Sequence, residues 1–193
     1  MKPKVVGLVG SPRKEMNVDT LVQRFLEGCQ EGGAAVEKVY LNDLFIQPCQ
    51  ACKIQDGTGC VFSDGMDFIY ELLETVDGMA LGTPVYYNTV SSQMKLMIDR
   101  CYCCAAAVFS PSGSVTYQSA VTKKKKGVVI SVGGSGENPQ IVMPVFQIWA
   151  PEVNMDIVNS ILVSEKQLNG QPMYNNALLQ RVFDEGKAFA AVL

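Results

Sequence analysis

The residues with the strongest chemical character fall in three short stretches. They are Gly10–Asn17 (GSPRKEMN), a run carrying Cys49, Cys52 and Cys60, and Thr83–Ser91 (TPVYYNTVS). The first suits a phosphate. A phosphate dianion needs several donors, and the N–H groups at a helix start, reinforced by the helix dipole, supply them. Ser11 adds a hydroxyl, Arg13 a cationic fork and Asn17 a side-chain amide. The plainer alternative is a strand-to-helix turn capped by Asn17, which would need neither the serine nor the arginine.

Other phosphate motifs are excluded. No Gly-Lys-Ser/Thr tripeptide occurs, as a P-loop requires. The dinucleotide pattern GxGxxG is approached only at Gly134, Gly136 and Pro139, with proline where the third glycine belongs. A mononucleotide is therefore favoured. Thr83–Ser91 offers what a flat ring needs. Pro84 and Val85 shape a turn, Tyr86 and Tyr87 can pack on or beside the ring, and N–H groups around Asn88 can meet its polar edge. Two tyrosines in a surface turn remain the alternative.

The chain has 193 residues and no histidine, which removes Ser-His-Asp hydrolases, Cys-His proteases and His-ligated metalloenzymes together. Its net charge of −3 argues against nucleic acid as the main partner. Lys123–Lys126 is the one basic run, expected as a solvated loop ahead of a strand. The short apolar run before Gly10 is too brief for a signal-peptide core, and no stretch is long enough to span a bilayer. A cytoplasmic protein is expected, and its seven cysteines are expected as thiols or metal ligands rather than disulfides.

Certain elements must position these groups. Val5–Val9 is an apolar run on both faces, as for a central parallel strand, and Val36–Leu41 reads as a second strand. Gly78–Leu81, Gly127–Val132 and Ile157–Val163 complete five. Between them lie helical patterns: one after Asn17, one after Ser63 or Asp64, and one from Ser91 to Cys104. A fourth, around Ile141–Trp149, is expected to kink at Pro144, and a fifth runs over Asn175–Ala191. Ala105–Lys126 is a long connection with some structure of its own. This alternation predicts one domain, residues 1–193, with a doubly wound parallel sheet and helices on both faces. Ligands of such sheets bind at the carboxyl ends of strands, so the turns after strands one, three and four are the expected site.

The motifs GSPRKEMN, PCQAC with a later GC and SDGM, and TPVYYNTVSSQMKLMIDR resemble, in this order, the FMN-dependent reductases of the flavodoxin superfamily that include iron–sulfur flavoproteins. The resemblance implies a flavodoxin-like sheet of order 2-1-3-4-5 and FMN as cofactor. It places phosphate contacts on Ser11, Arg13, Asn17 and the neighbouring Val18, where the family usually has a threonine or serine. Ring contacts fall on Pro84, Val85, Tyr86, Tyr87 and Asn88, with Gly133 and Gly134 at the ring's other edge. The implied activity is hydride transfer from NAD(P)H to FMN, then electrons to a quinone, flavin, metal or protein acceptor; no catalytic side chain is assigned. The alternatives are a non-enzymatic FMN (or iron–sulfur/FMN) electron-transfer protein and a redox or metal sensor. Iron–sulfur members resemble C-x2-C-x2-C with a fourth cysteine. Here Gln55 holds the third position, so a complete cluster on Cys49, Cys52 and Cys60 is not expected, and Cys101, Cys103 or Cys104 could add a fourth ligand, for iron or zinc, only if the fold brings them near. The family also implies a homodimer or homotetramer, with Phe109 and Tyr117 of the long connection completing a partner's pocket.

Overall fold

A computed structural model describes residues 2–52, 57–134, 136–164 and 175–193. Gln55 lies outside the described residues. Seven strands and five α-helices are present among those described. In chain order they are β1 (Lys4–Val9), α1 (Asn17–Glu31), β2 (Ala35–Tyr40), α2 (Met66–Thr75), β3 (Gly78–Pro84), α3 (Ser92–Arg100), β4 (Ala105–Phe109), β5 (Val115–Ser119), β6 (Lys125–Gly133), α4 (Met143–Glu152), β7 (Met155–Ser164) and α5 (Asn176–Ala190).

Five strands form one parallel sheet in the order β2-β1-β3-β6-β7. This is the expected 2-1-3-4-5 order once β4 and β5 are set aside. Those two pair only with each other, as an antiparallel hairpin between α3 and β6. Strand alternation splits β1 between two cores. Val6 and Leu8 face Leu72, Met94 and Trp149 on one side; Val5 and Val9 face Leu21, Phe25 and Phe189 on the other. The helices α2, α3 and α4 thus cover one face and α1 and α5 the other.

The sheet and α1 approach closely because glycines make room. A Cβ at Gly7 would sit 2.7 Å from Val22 Cγ1, and one at Gly82 2.4 Å from Val22 Cγ2. At its far end α1 touches α5, where a Cβ on Gly28 would lie 2.0 Å from the Phe183 carbonyl oxygen.

Three expectations need correction. Pro144 does not kink α4. It occupies the first turn, where a missing N–H costs no hydrogen bond, and a 3-10 turn over Pro139–Val142 precedes it. The helix from Ser91 ends at Arg100 and continues as a 3-10 turn, Cys101–Cys104. The lysine run is not a solvated loop throughout. Lys125 begins β6 almost fully buried, donating to the carbonyls of Lys123 (2.6 Å) and Val153 (2.8 Å), and burial lowers its pKa to about 8.

Candidate functional site

In this strand order the connections leave β1 and β3 in opposite directions, which opens a crevice at their carboxyl ends. Two turns meet there. Gly10 N–H donates to the Gly82 carbonyl at 2.7 Å, and the Gly10 carbonyl accepts from Ser91 Oγ at 2.6 Å. Ser91 also caps α3 by accepting the Met94 N–H, while its own N–H donates to Thr83 Oγ1 at 3.0 Å. The residues before α1 and those before α3 are thereby fastened together through buried bonds.

A cleft of about 200 Å³ lies against these turns, lined by Ser11, Arg13, Asn17, Val18, Pro84, Val85, Tyr86, Gly133 and Gly134. Met16, Val132 and Glu137 line it as well, and sequence reasoning named none of the three. Val85 N–H donates to the Val132 carbonyl at 2.9 Å, which ties the second turn to β6. Tyr86 exchanges two backbone bonds with Thr89, leaving Tyr87 and Asn88 at the tip with left-handed φ of 49° and 60°. Tyr87 is 99% exposed, and neither tip residue lines the cleft.

One end of the cleft is rich in donors. Ser11 is buried, and its Oγ accepts the Arg13 N–H at 3.2 Å. Helix α1 begins at Asn17 without a side-chain cap bond, so its opening N–H groups face outward at the positive end of the dipole. The expected capping by Asn17 is therefore replaced: Asn17 is the first helical residue, and Met16 stands at the cap position. The other end carries the lining's one carboxylate, Glu137, whose Oε2 accepts the Gly134 N–H at 2.7 Å. A Cβ at Gly133 would meet the Glu137 carbonyl oxygen at 2.8 Å, so the chain can turn this tightly only with glycine. A phosphate at the donor end and a flat ring between Pro84–Tyr86 and Gly133–Gly134 fit this donor set.

The cysteines form a second locality. Cys49, Cys52, Cys60 and Cys103 border a cavity of about 30 Å³, room for a water molecule or two. On its wall lies the buried Arg100. Its Nη1 donates to Asp64 Oδ2 (2.6 Å) and the Gln47 carbonyl (2.8 Å), and its Nη2 to Asp64 Oδ1 (3.2 Å) and Cys60 Sγ (3.4 Å). The Cys104 thiol beside it, and then burial, push the Cys103 thiol pKa upward. Among the described residues no group of three or more cysteines and carboxylates is placed to hold a metal ion. Four thiols thus border one cavity, with the Arg100 guanidinium against that of Cys60, and residues 53–56 between Cys52 and Cys60 lie outside the described residues. Cys101 and Cys104 are buried on the 3-10 turn.

Comparison with known proteins bears on this geometry. An iron–sulfur flavoprotein of Methanosarcina thermophila is 33% identical over 138 residues, covering 71% of this chain and 66% of that protein. Other iron–sulfur flavoproteins, from Methanocaldococcus jannaschii and Archaeoglobus fulgidus, are matched over 51% and 44% of their own lengths, so the chain spans about half to two thirds of these relatives. A flavone reductase structure superposes with a TM-score of 0.68 at 18% identity, covering 97% of this chain and 62% of that one. An NAD(P)H:quinone oxidoreductase from Methanothermobacter marburgensis also gives 0.68, at 14% identity and coverages of 99% and 98%. At such identities the two structures speak for the fold alone. The sequence match is more specific, since the family model described as NADPH-dependent FMN reductase covers residues 3–169, the cleft included, and the chain belongs to that family.

Proposed function

We propose that the cleft at the β1/β3 crevice binds FMN and that the chain is an FMN-dependent oxidoreductase using NAD(P)H. The observation that carries this reading is convergence: residues from three separate turns line one cleft, with donors at one end and the apolar side chains of Pro84, Val85 and Val132 along its wall. Bound there, FMN would supply a ring that accepts hydride from a nicotinamide and passes electrons to a second substrate. The chain's own part is to bind and orient. Ser11, Arg13, Asn17 and the α1 N–H groups around Val18 hold the phosphate, and Pro84, Val85 and Tyr86 form the ring's wall. Gly133 and Gly134 let backbone approach the opposite edge, while Tyr87 and Asn88 stand at the mouth. The acceptor is a quinone, free flavin, metal ion or protein carrier.

The cysteine loop is proposed to carry no complete cluster, because Gln55 stands where the third cysteine of the C-x2-C-x2-C pattern would be. The protein is further proposed to work as a homo-oligomer. The β4–β5 hairpin stands off the main sheet and exposes Phe109 (74%), Tyr117 (55%) and Val115, an apolar surface that a second copy would cover.

The test is Asn17→Asp, which sets a carboxylate at the helix start against the phosphate. That reverses a favourable interaction of roughly 1 kcal/mol or more. FMN affinity should fall about tenfold while riboflavin binding is little changed; equal losses for both would refute the phosphate assignment. Steady-state oxidation of NADH or NADPH by the FMN-loaded protein separates an enzyme from a carrier.

A further inference from the structure

The turn that presents Ser11, Arg13 and Asn17 contains a residue in an unfavourable conformation. Glu15 has φ of 60°, the left-handed region that favours glycine. Something must hold it there. Its N–H donates to Asp19 Oδ2 at 2.7 Å, and Asp19 lies on the first turn of α1, only 3% exposed. That carboxylate is itself immobilised from β2. Lys38 Nζ donates to Oδ1 at 2.7 Å, and the Tyr40 hydroxyl lies 2.9 Å from Oδ2 and 3.1 Å from Oδ1. The preceding residue is anchored to the same place, with Lys14 Nζ 4.7 Å from the centre of the Tyr40 ring and 2.6 Å from Asp43 Oδ2.

This arrangement has a directional consequence. Glu15 and Asp19 line a separate surface groove with Lys38, not the cleft that Ser11 and Arg13 line. Pinning Glu15 therefore does two things. It fixes the path of the turn, and it keeps one carboxylate out of the donor end of the cleft. Asp19 would itself repel a nearby anion, but the ammonium of Lys38 is paired with it.

We propose that Asp19 is the positioning residue of this turn. By holding the Glu15 N–H against the end of β2, it maintains the left-handed residue that presents Ser11, Arg13 and Asn17 to a phosphate monoester. The proposal rests on the FMN reading of the cleft. It makes Asp19 act through Glu15, without touching the ligand.

The experiment is a double-mutant cycle read by fluorescence titration of FMN and riboflavin into the flavin-free protein. The wild type is measured first. If it binds FMN no tighter than riboflavin, the phosphate reading fails before any variant is made, and this proposal falls with it. Given a preference for FMN, Asp19→Asn should weaken FMN at least tenfold and riboflavin less than twofold. In a Glu15→Gly background, where glycine adopts the left-handed region freely, the same change should cost less than threefold. A merely structural role for Asp19 would cost the same in both backgrounds, and that outcome overturns the proposal. Should Asp19→Asn not fold because Lys38 is left unpaired, Asp19→Ala with Lys38→Met replaces it in both arms. The same relief by Glu15→Gly is then expected, and its absence is again decisive.

Discussion

Ser91→Ala removes the fastening between the two turns, and the structure sets the size of the effect. Besides the helical bond its carbonyl accepts from the Lys95 N–H, three bonds converge on this buried serine. The backbone bond from its N–H to Thr83 Oγ1 survives the substitution. Its cap on the Met94 N–H does not, a loss of about 1 kcal/mol. The Gly10 carbonyl also loses its 2.6 Å donor and is left buried, which costs roughly 1–3 kcal/mol. Deleting one oxygen leaves too small a void to add much. The total is about 2–4 kcal/mol, a large part of the roughly 5–15 kcal/mol that holds a typical domain folded. For a chain of this length that corresponds to a melting temperature lower by roughly 5–15 °C. Urea unfolding of the flavin-free protein should show a lower midpoint at unchanged slope, and FMN affinity should fall alongside. A loss below 1 kcal/mol would mean that Gly10 and Met94 find other partners, and the two turns would then not be held by this serine.

Asp64→Asn should cost about 3–5 kcal/mol by stranding the buried Arg100 guanidinium. Burial raises the Asp64 pKa, but Arg100 and the N–H groups of Gln47 and Met66 outweigh it and hold the carboxyl below its ordinary value. Its contribution is therefore complete above the ordinary carboxylate range and drains away as pH falls through the lower folded value. Asp19, Glu74 and Asp77 are also held below their ordinary values, so urea midpoints of both proteins should drop across that window, the wild type's more steeply than those of Asp64→Asn; parallel curves would refute the pairing. Replacing both Phe109 and Tyr117 with serine should lower the oligomeric state in light scattering without lowering the melting temperature of the isolated subunit, and an unchanged assembly would place the interface elsewhere. Anaerobically purified protein should contain far less than stoichiometric iron and acid-labile sulfide. Near-stoichiometric amounts, lost in Cys52→Ser, would show that the loop holds a cluster after all.

Much of the fold was legible because strands buried on both faces announce themselves. The runs around Val5–Val9 and Gly127–Val132 are apolar on both alternations, and the structure seats both centrally. The β4–β5 hairpin was not legible, since AAAVF is poor in strand-forming residues and draws its conformation from pairing with VTYQS. Lys125 was misread for a related reason. A lysine in a run of four reads as solvated, and nothing local reveals the two carbonyls that take its ammonium. At the site, residue types were readable where they form a turn: Ser11, Arg13 and Asn17 on one side, Pro84 to Tyr86 on the other. Asp19, Ser91 and Glu137 escaped notice as parts of the site because their roles depend on partners many residues away or on the exact path of a turn.

The pattern of support also explains why the donor end of the cleft can be exact although it is built from a loop. Helix α1 is held at two points. Val22 fits the gap over Gly7 and Gly82, and Gly28 meets the α5 backbone at Phe183. Neither contact leaves room for a methyl group, so α1 cannot slide or roll without a collision. Its first residue, Asn17, consequently sits at a set height above the crevice, eight residues after the Val9 end of β1 to which the loop is tied. Asp19 holds that loop from the β2 side and Ser91 from the β3 side, through Glu15 and Gly10 respectively. The loop is thus clamped at both shoulders, with the residues that face the cleft lying between. A substitution that lifts α1, such as Gly7→Ala, whose methyl group would press on Val22 and Leu26, should therefore harm phosphate binding although neither of those residues lines the cleft.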